Sequence, residues 1–246
     1  MTGAMNDRRM LVIGGAAGIG LATVRLFMTE RARVAALDRN AWPDEESAPI
    51  FAGRADVRST GEVEAGIAAA ARKLGGLDGL VYCAGIDLLA TLAETSDDDW
   101  ARIIDVNLNG AMRACRAALP HFAPEGGAIV LVASAAGLKP LADRTAYCAS
   151  KAGLIMFAKA LAAELAPRGI RVNALCPGAV ETALFRSSFE DGPQPDAARQ
   201  AIKERYALRR IAEPEEMARS ILFLASEASS YVTGAALAAD GGRSFH

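Results

Sequence analysis

The sequence has 246 residues, 52% of them hydrophobic and 23% charged, and 27 basic against 29 acidic side chains leave a formal net charge of -2. This balance lacks the clustered basic excess of a nucleic-acid binder, and the apolar content is too high for a disordered chain. Charged residues or glycines interrupt every apolar stretch before the roughly 18–20 residues that a membrane-spanning helix needs, so we expect a cytoplasmic protein bound neither to nucleic acid nor to a membrane.

Apolar, β-branched segments alternate along the chain with segments of helical periodicity. The strand segments are Met10–Ile13, Arg33–Leu37, Pro49–Phe51, Leu77–Tyr82, Ala128–Ala133, Ile170–Leu175 and Ala235–Ala239. The helical segments are Ile19–Glu30, Thr60–Leu74, Asp97–Leu119, Tyr147–Ala166 and Pro214–Ala225. Little polar alternation in the strands indicates burial on both faces. The repetition predicts an α/β fold, a doubly wound parallel sheet with helices on both faces, in a single domain over 1–246.

One long stretch, from 177 to about 208, has no clear strand or helix pattern. It is too long for a simple connection between two elements of a compact domain. We therefore expect it to form a small lid.

A glycine-rich loop follows the first predicted strand and leads into the first helix. Gly14, Gly18 and Gly20 permit a tight turn and let backbone N–H groups approach a pyrophosphate at a helix N-terminus. Asp38 ends the second strand, where its carboxylate can accept hydrogen bonds from the adenosine ribose hydroxyls and repel a 2′-phosphate. Arg39 beside it weakens that repulsion, but no basic residue occupies the glycine loop. The pattern favours NAD over NADP.

Tyr147 and Lys151 lie four residues apart at the start of a predicted helix, so they share one helix face. A lysine cation beside a phenol stabilises the phenolate and is expected to lower the tyrosine pKa from about 10 towards the working pH. Ser134 ends a buried strand, and the carboxyl ends of parallel strands face the ligand crevice. The three side chains are therefore candidates for acid–base chemistry in that crevice.

Histidine and cysteine are poor candidates for the same chemistry. The histidines are His121, beside a proline near a helix end, and His246, the last residue. Neither suits a Ser-His-Asp triad or a metal site. The four cysteines lie about thirty residues apart and form no C-x-x-C pair, which disfavours disulfides and structural zinc. We expect no metal ion.

In order and spacing these residues resemble the classical short-chain dehydrogenases/reductases, from Met10 to Gly242. The motifs that carry the resemblance are Gly14-x-x-x-Gly18-Ile19-Gly20, Asp56-Val57, Cys83-Ala84-Gly85, Asn107, Ser134, Tyr147-Cys148-Ala149-Ser150-Lys151, Pro177-Gly178, Tyr231-Val232-Thr233-Gly234 and Asp240-Gly241-Gly242. The resemblance implies a Rossmann fold and hydride transfer between NAD and a secondary alcohol or ketone. Two departures, Ile13 for a usual threonine and Tyr82-Cys83 for a common Asn-Asn pair, affect the sheet and loop more than the chemistry.

The resemblance implies a role for each of four catalytic residues. Tyr147 would be the general acid/base and Ser134 would hydrogen-bond the reacting oxygen, so both would contact the substrate. Lys151 would bind the nicotinamide ribose and tune Tyr147, and Asn107 would hold a proton-relay water. The further cofactor contacts that we expect, beside the three glycines and Asp38, are Ala17, Ile19, Asp56, Val57, Cys83, Ala84, Gly85, Pro177, Gly178, Val180 and Thr182.

Within the family, the chain is most similar to cytosolic-type (type 2) 3-hydroxybutyrate dehydrogenases and to bacterial enzymes that oxidise 2-keto-3-deoxy sugar acids. The similarity rests on Arg144, three residues before Tyr147, and on the lid segment 195–205. Because a guanidinium can bind a carboxylate with two hydrogen bonds, Arg144 and Arg205 are predicted to contact a small hydroxy acid or sugar acid. The alternative is that both are solvated lid side chains; Ser188 stands where the hydroxybutyrate enzymes have another arginine.

Three functions are open at this point. The first is NAD-dependent oxidation of a small hydroxy acid, and the second is reduction of a neutral sugar, steroid or acyl-carrier ketone with the same four catalytic residues. The third is an NAD-sensing protein without chemistry, which would have no need of Tyr147. The resemblance also implies a homotetramer, in which Phe245 and His246 would reach a neighbouring active site.

Overall fold

The structure is a computed structural model that describes residues 3–43, 48–188 and 194–245. Within these ranges the strands are β1 (Arg9–Ile13), β2 (Arg33–Asp38), β3 (Phe51–Arg54), β4 (Gly79–Tyr82), β5 (Gly127–Val132), β6 (Ile170–Pro177) and β7 (Ala236–Ala239). They form one parallel sheet in the order β3-β2-β1-β4-β5-β6-β7. The strand order reverses between β1 and β4, where sheets of this kind bind ligands outside the carboxyl ends of their strands. The predicted doubly wound sheet is confirmed.

The helices cover both faces of this sheet. They are α1 (Gly18–Thr29), α2 (Thr60–Leu74), α3 (Asp97–Ile104), α4 (Gly110–Ala118), α5 (Thr145–Leu165), α6 (Ala183–Arg186), α7 (Pro195–Glu204) and α8 (Pro214–Ala225). Side chains of α1 and α8 share one buried cluster, and those of α2, α4 and α5 share another. The sheet therefore lies between two helical layers.

Alternate residues of the central strands point into different layers. In β1, Leu11 and Ile13 belong to the cluster with α2, α4 and α5, whereas Met10 and Val12 belong to the cluster with α1 and α8. All four side chains are almost fully buried. Burial of each contributes about 1.5–3 kcal/mol. This explains why the strands carry no polar alternation.

The bounds of α2 and α8 agree with prediction because chemical signals mark the helix ends. Ser59 accepts a hydrogen bond from the backbone N–H of Glu62 before α2, and Gly75 adopts a left-handed conformation (φ 80°) after it. Glu213 forms a capping box before α8, which starts at Pro214. Local capping chemistry of this kind is visible in the sequence.

Two predicted elements differ from the structure. β3 begins at Phe51 and extends to Arg54 rather than covering Pro49–Phe51, because it pairs along the sheet edge with Ala35–Asp38 of β2. The helix predicted over Asp97–Leu119 is divided into α3 and α4 by a π-helical turn. Neither pairing at an edge nor a single π turn has a strong local sequence signal.

By length and composition alone, the segment Thr145–Arg168, which is α5 and the turn that follows it, could cross a membrane. In the fold it packs against β6, and Leu154, Ala158 and Leu161 lie in the core cluster. The apolar composition of α5 is accounted for by this packing.

Candidate active site

Two adjoining cavities open at the carboxyl ends of the strands. The glycine-loop cavity is lined by the loop after β1, by Asp38 and by Asp56; the Tyr147 cavity is lined by Ser134, Tyr147 and residues of the 177–208 stretch. Residues common to both walls include Ile19, Cys83, Gly85, Thr182 and Leu184. The two cavities therefore form one continuous crevice at the position where the strand order reverses.

Close backbone contacts explain the glycines of the loop. Gly14 (φ 77°) and Gly18 (φ 51°) adopt left-handed conformations. A Cβ on Gly14 would lie 2.5 Å from the Ala84 nitrogen, and one on Gly20 would overlap the carbonyl oxygen of Gly14. α1 starts after Ala17 with no side-chain cap and no acidic residue in its first turn. Its uncapped N–H groups fit the pyrophosphate of a dinucleotide.

Asp38, the last residue of β2, lines one end of the glycine-loop cavity. Its Oδ2 accepts from the backbone N–H of Ala16 (3.0 Å), and its Oδ1 accepts from that of Asn40 (2.9 Å). Each oxygen keeps capacity for a further hydrogen bond, which fits an adenosine ribose. Arg39 lines the same cavity.

Asp56 lies at the same end of the glycine-loop cavity, with Val57 beside it. Its carboxylate accepts hydrogen bonds from the Arg58 side chain, at 3.0 Å from Nε and 2.6 Å from Nη2. The bonds from Arg58 lower the pKa of Asp56 below its usual range. Asp56 is therefore ionised at neutral pH.

Asn107 lies beneath the junction of the cavities, in the π-helical turn Asp105–Asn109, and is completely buried. Its Oδ1 accepts from Ile86 N (2.9 Å), and its Nδ2 donates to Ile86 O (2.9 Å) and Ser150 Oγ (3.0 Å). The amide thus uses both its donors to connect the segment after β4 with α5. π turns of this kind are common at functional sites.

Tyr147 and Lys151 face the cavity from the first turns of α5. Lys151 Nζ lies 5.8 Å from the centre of the Tyr147 ring and donates to Val132 O at 2.9 Å. Ser134 hydrogen-bonds Tyr147, and its Oγ also accepts from Ala136 N (3.1 Å). The predicted Ser134–Tyr147–Lys151 group is therefore assembled on one wall.

Burial dominates the electrostatics of this group. It raises the pKa of Tyr147 well above its usual value, and the hydrogen bond from Ser134 offsets only part of that effect. The Tyr147 pKa is therefore raised and not lowered as predicted, because burial outweighs the other effects. Burial also lowers the pKa of Lys151 to about 8, because an ammonium group loses hydration inside the protein.

Cys83 lines both cavities, but burial raises the pKa of its thiol to about 12. Its thiol is therefore protonated and a poor nucleophile at neutral pH. Among the described residues, no group of three or more His, Cys, Asp or Glu side chains is placed to hold a metal ion.

Arg144 and Arg205 both line the Tyr147 cavity, but in different states. Arg144 Nε donates to Asp87 Oδ2 at 2.8 Å, and the two side chains are only 13% and 18% exposed. Arg205 is exposed at the rim, and no described carboxylate forms an ion pair with it. Asp87 was not among the predicted site residues, and no local sequence signal pairs it with an arginine 57 positions away.

Arg243 is a second cavity residue that the sequence reasoning missed. It is 6% exposed, and its guanidinium donates to the carbonyl oxygens of Ala135 (3.2 Å), Lys139 (2.8 Å) and Pro140 (2.9 Å). It therefore connects the end of the chain to the segment that follows Ser134.

The 177–208 stretch contains the short helices α6 and α7 above the Tyr147 cavity, and its residues 189–193 lie outside the described ranges. Glu181 accepts hydrogen bonds from Arg186 of α6 (3.2 Å) and Arg199 of α7 (2.5 Å). Thr182, next to Glu181, approaches the glycine loop so closely that a Cβ on Gly18 would lie 3.1 Å from its methyl group.

Nearly all predicted site residues line the crevice. Those at the glycine-loop cavity are Gly14, Ala17, Gly18, Ile19, Gly20, Asp38, Asp56, Val57, Cys83, Ala84, Gly85 and Thr182. Those at the Tyr147 cavity include Ser134, Arg144, Tyr147, Lys151, Pro177, Gly178, Val180 and Arg205. Asn107 is buried beneath the junction of the two cavities. His246, predicted with Phe245 to reach a neighbouring site, lies outside the described residues.

Comparison with known proteins agrees with this arrangement. A family described as enoyl-(acyl carrier protein) reductase matches residues 14–244. D-threitol dehydrogenase of Mycolicibacterium smegmatis is 39% identical over 97% of this chain and 93% of its own length. The 3-oxoacyl-(acyl-carrier-protein) reductase FabG of Thermotoga maritima is 38% identical over 94% of this chain and 96% of its own.

A solved structure is similar over the whole chain. The ligand-free aldohexose dehydrogenase of Thermoplasma acidophilum superimposes with a TM-score of 0.93 at 29% identity, covering 100% of this chain and 97% of that one. The chain thus belongs to the classical short-chain dehydrogenase/reductase family and is an oxidoreductase that acts on CH–OH groups.

Proposed function

We propose that this oxidoreductase uses NAD to interconvert a small secondary alcohol and its ketone. The observation that carries the proposal is the crevice itself: Ser134, Tyr147 and Lys151 line a cavity that continues into the glycine-loop cavity. When bound, NAD would supply the hydride acceptor. The glycine loop, Asp38, Thr182 and the other predicted contacts would hold it.

Each catalytic side chain has a proton or charge to handle. Tyr147 takes the proton of the alcohol, and Ser134 hydrogen-bonds the same oxygen. Tyr147 must be a phenolate to accept this proton, after which it is a neutral phenol, and the Lys151 cation, with Nζ 5.8 Å from the ring centre, would stabilise that phenolate. Both donors of the Asn107 amide are used by Ile86 and Ser150, so a relay water would have to donate to its Oδ1 or bind its main chain.

The preference for NAD rests on the Asp38 carboxylate at the end of β2. Its charge repels the 2′-phosphate of NADP, and we expect Asp38→Asn to raise kcat/KM for NADP relative to NAD about tenfold, or about 1.4 kcal/mol. Steady-state kinetics with both cofactors measure this ratio, with Asp98→Asn on the exposed start of α3 as the control. A higher kcat/KM for NADP than for NAD in the unaltered protein would contradict the preference for NAD.

For the substrate, we propose a small hydroxy acid or sugar acid. Among the described residues that line the Tyr147 cavity, Arg144, Arg205 and Arg243 are arginines and Asp87 is the one carboxylate, so this part of the wall has excess positive charge. Arg205 is the better candidate to bind a carboxylate, because Asp87 already neutralises Arg144. A neutral polyol is the second candidate, favoured by that same pairing and by the names of the threitol and aldohexose dehydrogenases.

A screen for NAD reduction with hydroxy acids, sugar acids and neutral alcohols tests the substrate class. For an acid substrate we expect Arg205→Gln to raise KM about tenfold with little change in kcat, since the charge contributes binding away from the reacting carbon. Exclusive turnover of neutral alcohols would overturn the acid proposal and leave the polyol.

We further propose a cytoplasmic homotetramer of single-domain subunits, with the 177–208 stretch as a lid over the substrate. The proposal rests on the family resemblance, and α5 and α8 would each bring an exposed apolar side chain, Met156 and Phe223, to such contacts. Light scattering coupled to size-exclusion chromatography measures the subunit number.

A further inference from the structure

Asp87 and Arg144 form an ion pair inside the Tyr147 cavity. Arg144 Nε donates to Asp87 Oδ2 at 2.8 Å, and both side chains are largely buried. Asp87 Oδ1 accepts from the Leu88 backbone at 2.8 Å. Among the described residues, no acceptor forms a hydrogen bond with the two Nη groups of Arg144. Arg144 therefore keeps N–H donors, and the Asp87 carboxylate keeps free lone pairs, in the cavity that both residues line.

The pair is held in place by the catalytic framework. Asn107 exchanges two hydrogen bonds with Ile86, the residue before Asp87. The backbone N–H of Ala90 donates to Asp143 O at 2.8 Å, which connects the same segment to the start of α5. Arg144 immediately precedes α5. A polar site whose orientation is fixed in advance loses little entropy when it binds a ligand.

The pair lies close to the reacting groups. Arg144 is three residues before Tyr147 along the chain. Asp87 and Arg144 line the same cavity as Ser134 and Tyr147. A group bound by the pair would therefore belong to the part of the substrate next to the reacting carbon.

The chemistry of the pair selects the ligand group. A hydroxyl can donate to the Asp87 carboxylate and accept from an Arg144 Nη at the same time. A carboxylate would be repelled by Asp87, and an alkyl group would leave both polar side chains without partners in a partly dry site. A hydroxyl is thus the group that satisfies both residues.

We propose that Asp87 and Arg144 form a subsite for a second hydroxyl, so that the substrate carries a vicinal diol. The inference rests on the proposed oxidation of a secondary alcohol and adds a requirement to it. It is independent of whether the substrate also carries a carboxylate, which would lie at Arg205. Arg144 then contributes to hydroxyl recognition and not to the predicted carboxylate contact.

Four alcohols separate the two features of the substrate. They are butan-2-ol, meso-butane-2,3-diol, 3-hydroxybutanoate and 2,3-dihydroxybutanoate, which combine the presence or absence of the second hydroxyl with that of the carboxylate. NADH formation with the full-length protein gives kcat/KM for each. We expect each diol to exceed its mono-alcohol by at least about 100-fold, because a site built for a hydroxyl rejects the analogue that lacks it.

Two variants assign that preference to the pair. Asp87→Asn and Arg144→Gln are each expected to lower kcat/KM for the diols about 10- to 100-fold more than that for the mono-alcohols. Asp98→Asn makes the same carboxylate-to-amide change on the exposed start of α3 and serves as the control. If a single variant does not fold, the double variant Asp87→Asn/Arg144→Gln takes its place. Both of its new side chains are uncharged, so no unpaired charge is left in the cavity wall.

The outcomes separate this inference from the proposed function. Equal kcat/KM for diols and mono-alcohols in the unaltered protein overturns the diol subsite and leaves the dehydrogenase. Equal losses for diols and mono-alcohols in the variants also overturn it, since a purely structural pair would act on both. NADH from none of the four alcohols overturns the proposed function as well.

Discussion

The two cavities of the crevice are built in different ways. The glycine-loop cavity is shaped by backbone: Gly14 and Gly20 meet neighbouring main-chain atoms so closely that a side chain has no room. The Tyr147 cavity is shaped by side chains, with the Asp87–Arg144 ion pair and Arg205 on its wall and the Glu181–Arg199 ion pair in the 177–208 stretch next to it. The first construction suits a cofactor common to a family, and the second suits a substrate that differs between its members.

This difference teaches which changes each cavity tolerates. A binding loop whose main-chain atoms are in close contact has no room for an added atom, whatever the chemistry of that atom. Ion pairs near a surface contribute about 0–1 kcal/mol each, so they can be exchanged without loss of the fold. Atoms added to the main-chain wall of the first cavity are expected to weaken cofactor binding strongly, and changes of side chain in the second are expected to alter selectivity.

In the Tyr147 cavity, Tyr147→Phe is expected to have the largest effect of all. It removes the only hydroxyl of that side chain and should lower kcat by about a thousandfold or more, while NAD binding persists. Stopped-flow or steady-state NADH formation measures the loss, and cofactor fluorescence measures binding. Tyr231→Phe removes the same atom from a fully exposed ring and should be neutral. Near-normal turnover by Tyr147→Phe would refute the acid–base role.

In the glycine-loop cavity, Gly20→Ala adds one carbon that would overlap the Gly14 carbonyl oxygen. The turn must shift, and we expect NAD affinity to fall about a hundredfold, measured by calorimetric titration. Gly61→Ala adds the same carbon in α2, where nothing lies within 4 Å, and should keep affinity and stabilise the protein by about 0.5–1 kcal/mol. Unchanged NAD affinity in Gly20→Ala would show that the glycine loop can shift to make room for the added carbon.

The same contrast explains what the sequence could predict. The glycine loop, Asp38 and Ser134 follow from spacing, because a strand end, a turn and a helix start are local features. Asp87 escaped prediction because its partner lies 57 residues away and only the packed fold brings them together. The Tyr147 pKa was mispredicted because the i, i+4 spacing shows the neighbouring lysine but not the depth of burial. The π turn at Asn107 likewise has no strong local signal.

Lys151 offers a test of the burial that spacing could not show. Its folded pKa of about 8 lies below the usual value of 10.5, so the unfolded chain binds the proton more readily between these pH values. Stability therefore rises with pH across that window, and the full cost of the buried cation applies below pH 8. We expect Lys151→Met to raise the Tm of the cofactor-free protein by a few degrees at pH 7 and much less near pH 10.5, by differential scanning calorimetry.

The exposed Lys159→Met, also on α5, is the matched control and should not reproduce the pH-dependent gain. Lys151→Met should at the same time lose most activity, since the phenolate loses its neighbouring cation. A lower Tm for Lys151→Met at pH 7 would show that the hydrogen bond to Val132 O outweighs the cost of burying the charge.

The smallest effect is expected in the lid, at Glu181. Arg199, and less strongly Arg186, lower the pKa of Glu181 below its usual 4.5. The pairs therefore contribute above about pH 4.5 and are lost as the pH falls through the lower folded value. Glu181→Gln keeps the shape but removes the charge, and should raise KM for the substrate about two- to fivefold at neutral pH with little change in kcat.

Salt provides the second measurement on the same pairs. Screening by about 1 M salt should raise KM of the unaltered protein by a larger factor than KM of Glu181→Gln, because only the unaltered protein also loses the Glu181 pairs. The control is Glu216→Gln, which breaks the pair with Arg210 outside the Tyr147 cavity, where Arg210 lowers the glutamate pKa to about 2. A KM shift in Glu216→Gln equal to that in Glu181→Gln would mean that overall charge, and not the contact between Glu181 and the lid helices, sets substrate affinity. Substrate affinity in the Tyr147 cavity would then depend on overall charge, and not on the side-chain ion pairs that distinguish this cavity from the glycine-loop cavity.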